Sequence, residues 1–540
     1  MERRSRVKRK RKLANVKTMR VYHGNIVTCD DNNAVYSYLV EKDGRIIYVG
    51  DQLPASVGRG SEKIELGEKA LLPAFGDGHI HYSNWAHFNS TFDVRKAANF
   101  EEIGAIIKRY AQKDPRAKML FGFGHSIHSV REKRLITRTE LDAIVKDRPI
   151  YLVCFEGHSA VVNTAGIGIM PPKIRALPGF DLETGRLTRE AFLEATDYVS
   201  GRVSIPRLLK AIVSGFDTLA DYGVGLVHTV EGIGFPRDLD VDLIRFLTRG
   251  AQQHFRVYFQ TMDVDKILKR NLSRVGGCFA CALDGSFNAS DAALLEPYCD
   301  DPENQGILFY SDREVKKFVS RANREGLQIQ LHCIGDAAVT QAVEAIEAAL
   351  KENPRIDHRH TLIHACLIPE HLLEKIAALG LHVTVQPGFI ASPLEPAEHM
   401  SNLIGYERAA RIFQFRSMLD LGINVNGSSD GPVLIPNPIE GLYGLCNHDN
   451  PRESVTVAEA LRIFTLNVAR TSFDDEECGS LEKGKVADMV VLNRNPLELE
   501  PASLLELKVE KLYIAGRPYE KGRTLLSTAL NSLKNRSRKV

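Results

Sequence analysis

Ser311-Asp312-Arg313-Glu314-Val315-Lys316-Lys317-Phe318-Val319-Ser320-Arg321-Ala322-Asn323-Arg324-Glu325-Gly326-Leu327-Gln328-Ile329-Gln330-Leu331-His332 holds one full repeat of the fold in its pattern. Val315, Phe318, Val319 and Ala322 recur at helical spacing, with Ser311 and Asp312 as capping candidates. Gly326 stops the helix, and Leu327 to His332 reads as a strand that ends on an imidazole. The unit then repeats. Ala337 to Leu350 is helical, Thr361-Leu362-Ile363-His364 a strand, and Pro369 to Leu379 a helix. His382 to Gln386 is a strand, Ala409 to Leu421 a helix, and Ile423-Asn424-Val425-Asn426 runs into Gly427-Ser428-Ser429-Asp430. Such alternation implies an α/β fold with a parallel sheet covered by helices. A closed eight-fold barrel of about 250 residues fits the length. Its expected bounds are 73–465, with residues of about 92–225 as an insertion beside the mouth.

Both ends have a different texture. Arg20-Val21-Tyr22, Ile26-Val27-Thr28, Ser37 to Val40 and Arg45 to Val49 are β-rich, with a hairpin turn at Lys42-Asp43-Gly44. The texture returns at Ala487 to Leu492 and Val509 to Gly516. One small β-domain assembled from residues 18–72 and 466–523 is expected. Residues 1–17 form a basic tail with no acid after Glu2, kept extended by like-charge repulsion. Residues 524–540 are expected to be a second tail of the same kind.

The 540 residues are 44% hydrophobic and 26% charged with a net charge of +2, which gives no strong field for nucleic acid or membrane. No apolar run of about 18 residues and no signal segment is evident. The expectation is a cytoplasmic protein without membrane or specific nucleic-acid partners, the basic tail leaving a nuclear or polyanion-associated pool open. Nine scattered cysteines read as reduced thiols. Among them Cys278-Phe279-Ala280-Cys281, a lone CxxC, reads as packing.

In a β/α barrel, function collects at the C-terminal strand ends. His79-Ile80-His81 follows an apolar turn, and alternation along a strand points both imidazoles the same way. His332, His364 and Asp430 end later strands. Each alone reads equally as a buried core histidine or a turn aspartate. Five at strand ends are not five coincidences, and nitrogen ligands with a carboxylate suit zinc or another first-row divalent ion.

Pro73-Ala74-Phe75-Gly76-Asp77-Gly78-His79-Ile80-His81, followed by His332, His364 and Asp430, resembles the metal-site order of the amidohydrolase superfamily. Within it the chain resembles the amidohydrolase-3 group of YtcJ-like and N-substituted formamide deformylase-like proteins. The likeness is carried by Phe155-Glu156-Gly157-His158, Thr184 to Glu190, Leu283-Asp284-Gly285-Ser286 and His332-Cys333-Ile334-Gly335-Asp336. Gln386-Pro387, Gly427 to Val433 and Gly479 to Asp488 extend it. The resemblance implies a distorted TIM (β/α)8 barrel with a small β-sandwich, and a metal-dependent hydrolase carrying one or two divalent ions, zinc first among them. It implies His79, His81, His332, His364 and Asp430 as metal ligands. Asp430 would also take the proton from the attacking water, and His364, if one ion is bound, would contact the attacked carbonyl. Relatives place a lysine four residues before the Asp-Gly of the Leu283-Asp284-Gly285 motif, where this chain has Ala280. Glu190 is the alternative carboxylate ligand, weighed equally against a plain first-turn helix glutamate. His158 is expected to orient substrate, His125 to face the pocket in place of a Gly-Trp-Asp motif, and Trp85 to wall the pocket or pack.

A divalent cation makes hydroxide available from water at neutral pH, and a neighbouring carboxylate can shuttle the proton. No Gly-x-Ser-x-Gly elbow offers a serine nucleophile. The expected reaction is hydrolysis of a carbon–nitrogen bond in a small-molecule amide or N-substituted formamide. The alternatives are a deaminase, a cyclic-amide or ester hydrolase, or a scaffold without chemistry. Family analogy adds a homodimer.

Overall fold

The computed structural model describes residues 19–540 except 56, 58, 59, 116, 156, 158, 203, 234, 235, 393 and 395. The basic tail of residues 1–17 and His158 therefore lie outside the described residues.

Eight parallel strands form the centre: β1 (Phe75–Ile80), β2 (Val224–Glu231), β3 (His254–Phe259), β4 (Arg274–Ala282), β5 (Gln328–Cys333), β6 (Thr361–His364), β7 (His382–Val385) and β8 (Asn424–Gly427). Each hydrogen-bonds to the next in sequence, the arrangement a right-handed β-α-β path gives when no strand is skipped. The β1 and β8 ends meet through two bonds just past the strands. Asp430 N–H donates to His79 O, and His81 N–H donates to Gly431 O, both at 2.9 Å. Gly78 makes this approach feasible, because a Cβ there would sit 2.0 Å from Asn426 Oδ1. The result is a nearly closed barrel of the expected class.

The helix Asp312–Arg324 shows why the sequence pattern was readable. Ser311 and Glu314 form a capping box, and Val315, Phe318, Val319 and Ala322 are buried against the barrel.

A seven-stranded sheet uses both ends of the chain, in the order Arg517–Pro518, Val509–Ile514, Met489–Leu492, Glu62–Pro73, Arg20–Val27, Val35–Lys42, Arg45–Gly50. Its core packs Tyr22, Ile26, Leu39, Leu71, Met489 and Tyr513. The twelve-residue strand Glu62–Pro73 leads through Ala74 directly into β1, so this sheet fixes the angle at which the His79 strand enters the barrel.

Residues between β1 and β2 form a third, five-stranded sheet of Arg186–Thr188, Ser159–Val162, Ile150–Cys154, Leu120–His125 and Phe92–Asp93. Alternation divides its side chains between two cores. Leu120, Ile150, Leu152 and Val161 pack on one face; Phe121, Phe123, Tyr151 and Val153 pack on the other.

The C-terminal residues depart from the expected solvated tail. Leu525–Lys534 is a helix, and Arg538 donates to the carbonyls of Ala251 and, at 2.9 Å each, of Gln252 and Gln253. Three carbonyl acceptors offset the loss of water around one guanidinium, which is why a charged segment docks here. Just above it, Arg256 of β3 makes a two-pronged buried pair with Asp474 at 2.6 and 2.7 Å, and donates to Lys539 O at 3.0 Å. No helix of the described residues is long and apolar enough to cross a membrane.

Candidate metal centre

At the C-terminal mouth of the barrel the structure brings together His79, His81, His332, His364 and Asp430. His79 Nε2 and His81 Nε2 each lie 3.3 Å from Asp430 Oδ1. Ile80, between them, points the other way and is fully buried. Across the barrel axis the rings of His332 and His364 meet edge to face, with centroids 4.5 Å apart.

Between the two groups stands Cys278, on β4. Its Sγ is 3.3 Å from His79 Nε2, 3.3 Å from His332 Nδ1 and 3.5 Å from His364 Nε2. The ligand atoms of His79, His81, Cys278 and Asp430 lie within 4.8 Å of one another, and so do those of Cys278, His332 and His364. Sequence reasoning missed this residue. The expected lysine position fell on Ala280, but the pairing of β4 with β5 shifts between Gly277 and Ala282, and the bulge turns Cys278 inward. Gly276 permits it, with φ at +116° and its missing Cβ only 1.8 Å from Gln330 O. The Gly-Gly pair ahead of the cysteine was the available signal. Cys281, the other half of the CxxC, is in neither ligand group.

Outer contacts orient the rings. His364 Nδ1 meets Gln386 Oε1 at 2.7 Å, and His332 Nε2 meets Gly285 O at 3.1 Å. Both acceptors fix the ring proton on the far nitrogen, so the lone pairs of His364 Nε2 and His332 Nδ1 face Cys278. Asp77 holds the opposite wall, accepting from Ser429 N–H at 3.0 Å, Ser429 Oγ–H at 2.6 Å and His79 N–H at 3.3 Å. These bonds lock the Asp430 loop onto β1. His364 and Asp430 themselves have φ of +69° and +51°, left-handed conformations that cost about 1–3 kcal/mol each and persist only where neighbours enforce them.

The electrostatics are those of a cation site. Burial pushes the Asp430 carboxyl up, but its contacts with His79 and His81 and the field of His364 outweigh that and hold it well below the usual carboxylate range. Burial pushes His79 down to about 4. Asp430 Oδ1 is buried with no hydrogen-bond partner, although two imidazole nitrogens and a sulfur surround it. Imidazole, carboxylate and thiol donors converging in one buried cluster fit a first-row divalent cation.

The other expected site residues lie elsewhere. Glu190 is on the exposed first turn of the helix Arg189–Ser200, lining the cavity mouth and in neither ligand group. The helix-dipole reading describes it: a carboxylate at a helix N-terminus. Glu190→Ala is accordingly expected to leave metal content per chain unchanged, as elemental analysis would show. Trp85 is buried beside Tyr82, at a centroid distance of 5.5 Å, and backs the Asp430 loop, since a Cβ on Gly431 would touch it at 3.0 Å. It packs and does not line the cavity. His125 also turns away: its Nε2 accepts from Ile136 N–H at 2.8 Å, and burial pushes it down to about 4.

Above the ligands opens a cavity of about 2210 Å³, with Phe88, Phe121, Phe123, Phe155, Phe192 and Phe279 among its walls. The insertion sheet supplies Phe121 and Phe123. His87, on the helix after His81, also faces this space; it is buried and neither ring nitrogen has a partner.

A nearly closed parallel barrel with this cluster at its C-terminal mouth defines a metal-dependent hydrolase. The chain belongs to the amidohydrolase family, whose model matches residues 62–519. It is 25% identical to YtcJ of Bacillus subtilis (strain 168) over 495 residues, covering 85% of this chain and 91% of that protein. It is 26% identical to the N-substituted formamide deformylase of Arthrobacter pascens over 555 residues, covering 93% of this chain and 98% of that protein. Among solved structures, an uncharacterized metal-dependent hydrolase from Pyrococcus furiosus superposes with a TM-score of 0.72 at 27% identity, over 89% of this chain and all of that one.

Proposed function

We propose that this protein hydrolyses a carbon–nitrogen bond of amide or N-substituted formamide type in a small molecule with a bulky, apolar, preferably aromatic substituent. The observation that carries this reading is the convergence of His79 Nε2, His81 Nε2 and Asp430 Oδ1 beneath a phenylalanine-walled cavity. His79, His81, His332, His364 and Asp430 would hold a zinc-type cation, which when bound supplies Lewis acidity and hydroxide from water at neutral pH. Asp430 accepts the proton of the attacking water on its carboxylate and returns it to the leaving nitrogen, which departs as a neutral amine. The left-handed backbone at Asp430, tied to His79 O and through Ser429 to Asp77, holds that carboxylate in place without further reorganisation. The phenylalanine walls exclude water and seat the apolar substituent.

The similarity to an N-substituted formamide deformylase supports the amide choice. A deaminase of this superfamily would carry a glutamate shortly after the β5 histidine. Here the helix after β5 begins at Asp336, whose carboxylate accepts from Leu295 N–H at 2.8 Å, which counts against deamination.

The test is a panel of N-substituted formamides and acetamides with benzyl, alkyl and unsubstituted nitrogens, assayed for released amine. N-benzyl members are expected to react fastest, and Phe123→Ala to raise KM for them several-fold with little change in kcat. Turnover of esters or aminoheterocycles with every amide inert would overturn the proposal. Turnover of nothing, by protein with its metal bound, would favour the scaffold reading.

A further inference from the structure

The geometry points to Cys278 Sγ as a ligand shared by two cation sites, one completed by His79, His81 and Asp430 and the other by His332 and His364. This inference rests on the metal-dependent reading above and adds to it how many ions the centre holds and which side chain joins them. Cys278 is the one residue common to both groups of converging donors among the described residues. Its sulfur contacts a histidine nitrogen of each group, at 3.3 Å for His79 and at 3.3 and 3.5 Å for His332 and His364. The His332 and His364 rings are each oriented from behind, by Gly285 O and Gln386 Oε1, so that the sulfur lies on their lone-pair side.

The neighbourhood explains why a thiol is needed here. Among the described residues no lysine, glutamate or aspartate joins the two histidine groups: Glu190 is exposed at the mouth, and Asp284 accepts from the backbone N–H groups of Ile334, Gly335 and Ala293 and meets His332 only on Nε2, at 3.5 Å, away from the sulfur. Without the sulfur, His332 and His364 would make a two-ligand site, too few for a tetrahedral ion. Binding is a simple exchange. The thiol S–H bond breaks, its proton leaves to solvent, and the resulting thiolate lone pairs form one bond to each cation. A soft sulfur at the centre biases the pair towards zinc, cobalt or cadmium over magnesium or calcium.

The experiment is cobalt(II) titration of the metal-depleted full chain, read by absorption spectroscopy and by bound equivalents, for the parent, Cys278→Ser and Cys281→Ser. The parent is expected to bind two cobalt ions per chain and to develop sulfur-to-cobalt charge-transfer absorption in the near ultraviolet. Cys281→Ser should keep both features. Cys278→Ser should lose the band and fall towards one equivalent. The parent spectrum is decisive even if that variant does not fold: two ions bound with no sulfur band would overturn the shared thiolate and leave the hydrolase reading intact. A band that survives in Cys278→Ser would also overturn it. Parent protein that takes up no cobalt would overturn both readings together.

Discussion

Asp430→Asn is expected to lower kcat on the best amide substrate about 10²–10⁴-fold, the range a positioned acid–base group contributes. The asparagine keeps the shape and the backbone bond to His79 O but removes the charge that His79 and His81 face at 3.3 Å. It also removes the carboxylate lone pair proposed to take a proton from water and return it. Two effects can be separated by metal analysis. Loss of rate with metal retained assigns Asp430 mainly to proton transfer; loss of rate together with metal assigns it mainly to holding the cation. Asp430→Asn with the parent rate and the parent metal content would contradict both roles. KM should change little, because the cavity walls that seat the substrate are untouched.

The second large effect is one of stability, far from the chemistry. Asp474→Ala is expected to destabilise the protein by about 3–5 kcal/mol, because it leaves the Arg256 guanidinium buried beneath β3 without its carboxylate. The shift would be read from the denaturant midpoint of unfolding. Replacing both partners, as Arg256→Met with Asp474→Leu, should cost much less than the single change, since no uncompensated charge remains. Burial pushes the Asp474 carboxyl up, but the bonds and field of Arg256 outweigh it and hold it well below the usual carboxylate range. A depressed folded value means the pair's contribution is fully present above the unfolded carboxylate value of about 3.9 and is lost as pH falls through the folded value. Acid unfolding below about pH 4 should therefore be shallower in Asp474→Asn than in the parent. A single variant within about 0.5 kcal/mol of the parent would show that the docked C-terminal segment does not seal this pair from water.

The barrel was legible because its second half is written in separable units. Leu327 to His332 and Thr361 to His364 are short apolar strands set off by amphipathic helices with clear stops, and each ends on its functional side chain. Period-2 geometry then sufficed to aim His79 and His81 together. The insertion was legible as an insertion, but its internal sheet was not, for an equally physical reason. Ile150-Tyr151-Leu152-Val153-Cys154 is buried on both faces, so its strand has no polar alternation to read. Side-chain direction was also beyond the sequence at Trp85 and His125. Both stand near expected site motifs, yet each is turned into a core by partners distant in the chain. Cys278 was hidden by a bulge: counting residues back from Asp284 assumes a regular strand, and the pairing of β4 with β5 breaks that count. Arg538 shows the same limit for the C-terminus, since the carbonyls that hold it belong to the turn before β3.

The measurement that tests the central claim most directly is amide hydrolysis by one preparation before metal removal, after it, and after stepwise return of zinc. The account predicts that the depleted protein is inactive, that the rate returns as zinc is bound, and that His79→Ala combined with His81→Ala binds less zinc than the parent and does not recover. Hydrolysis at the parent rate by depleted protein, or full recovery in the double variant, would contradict it.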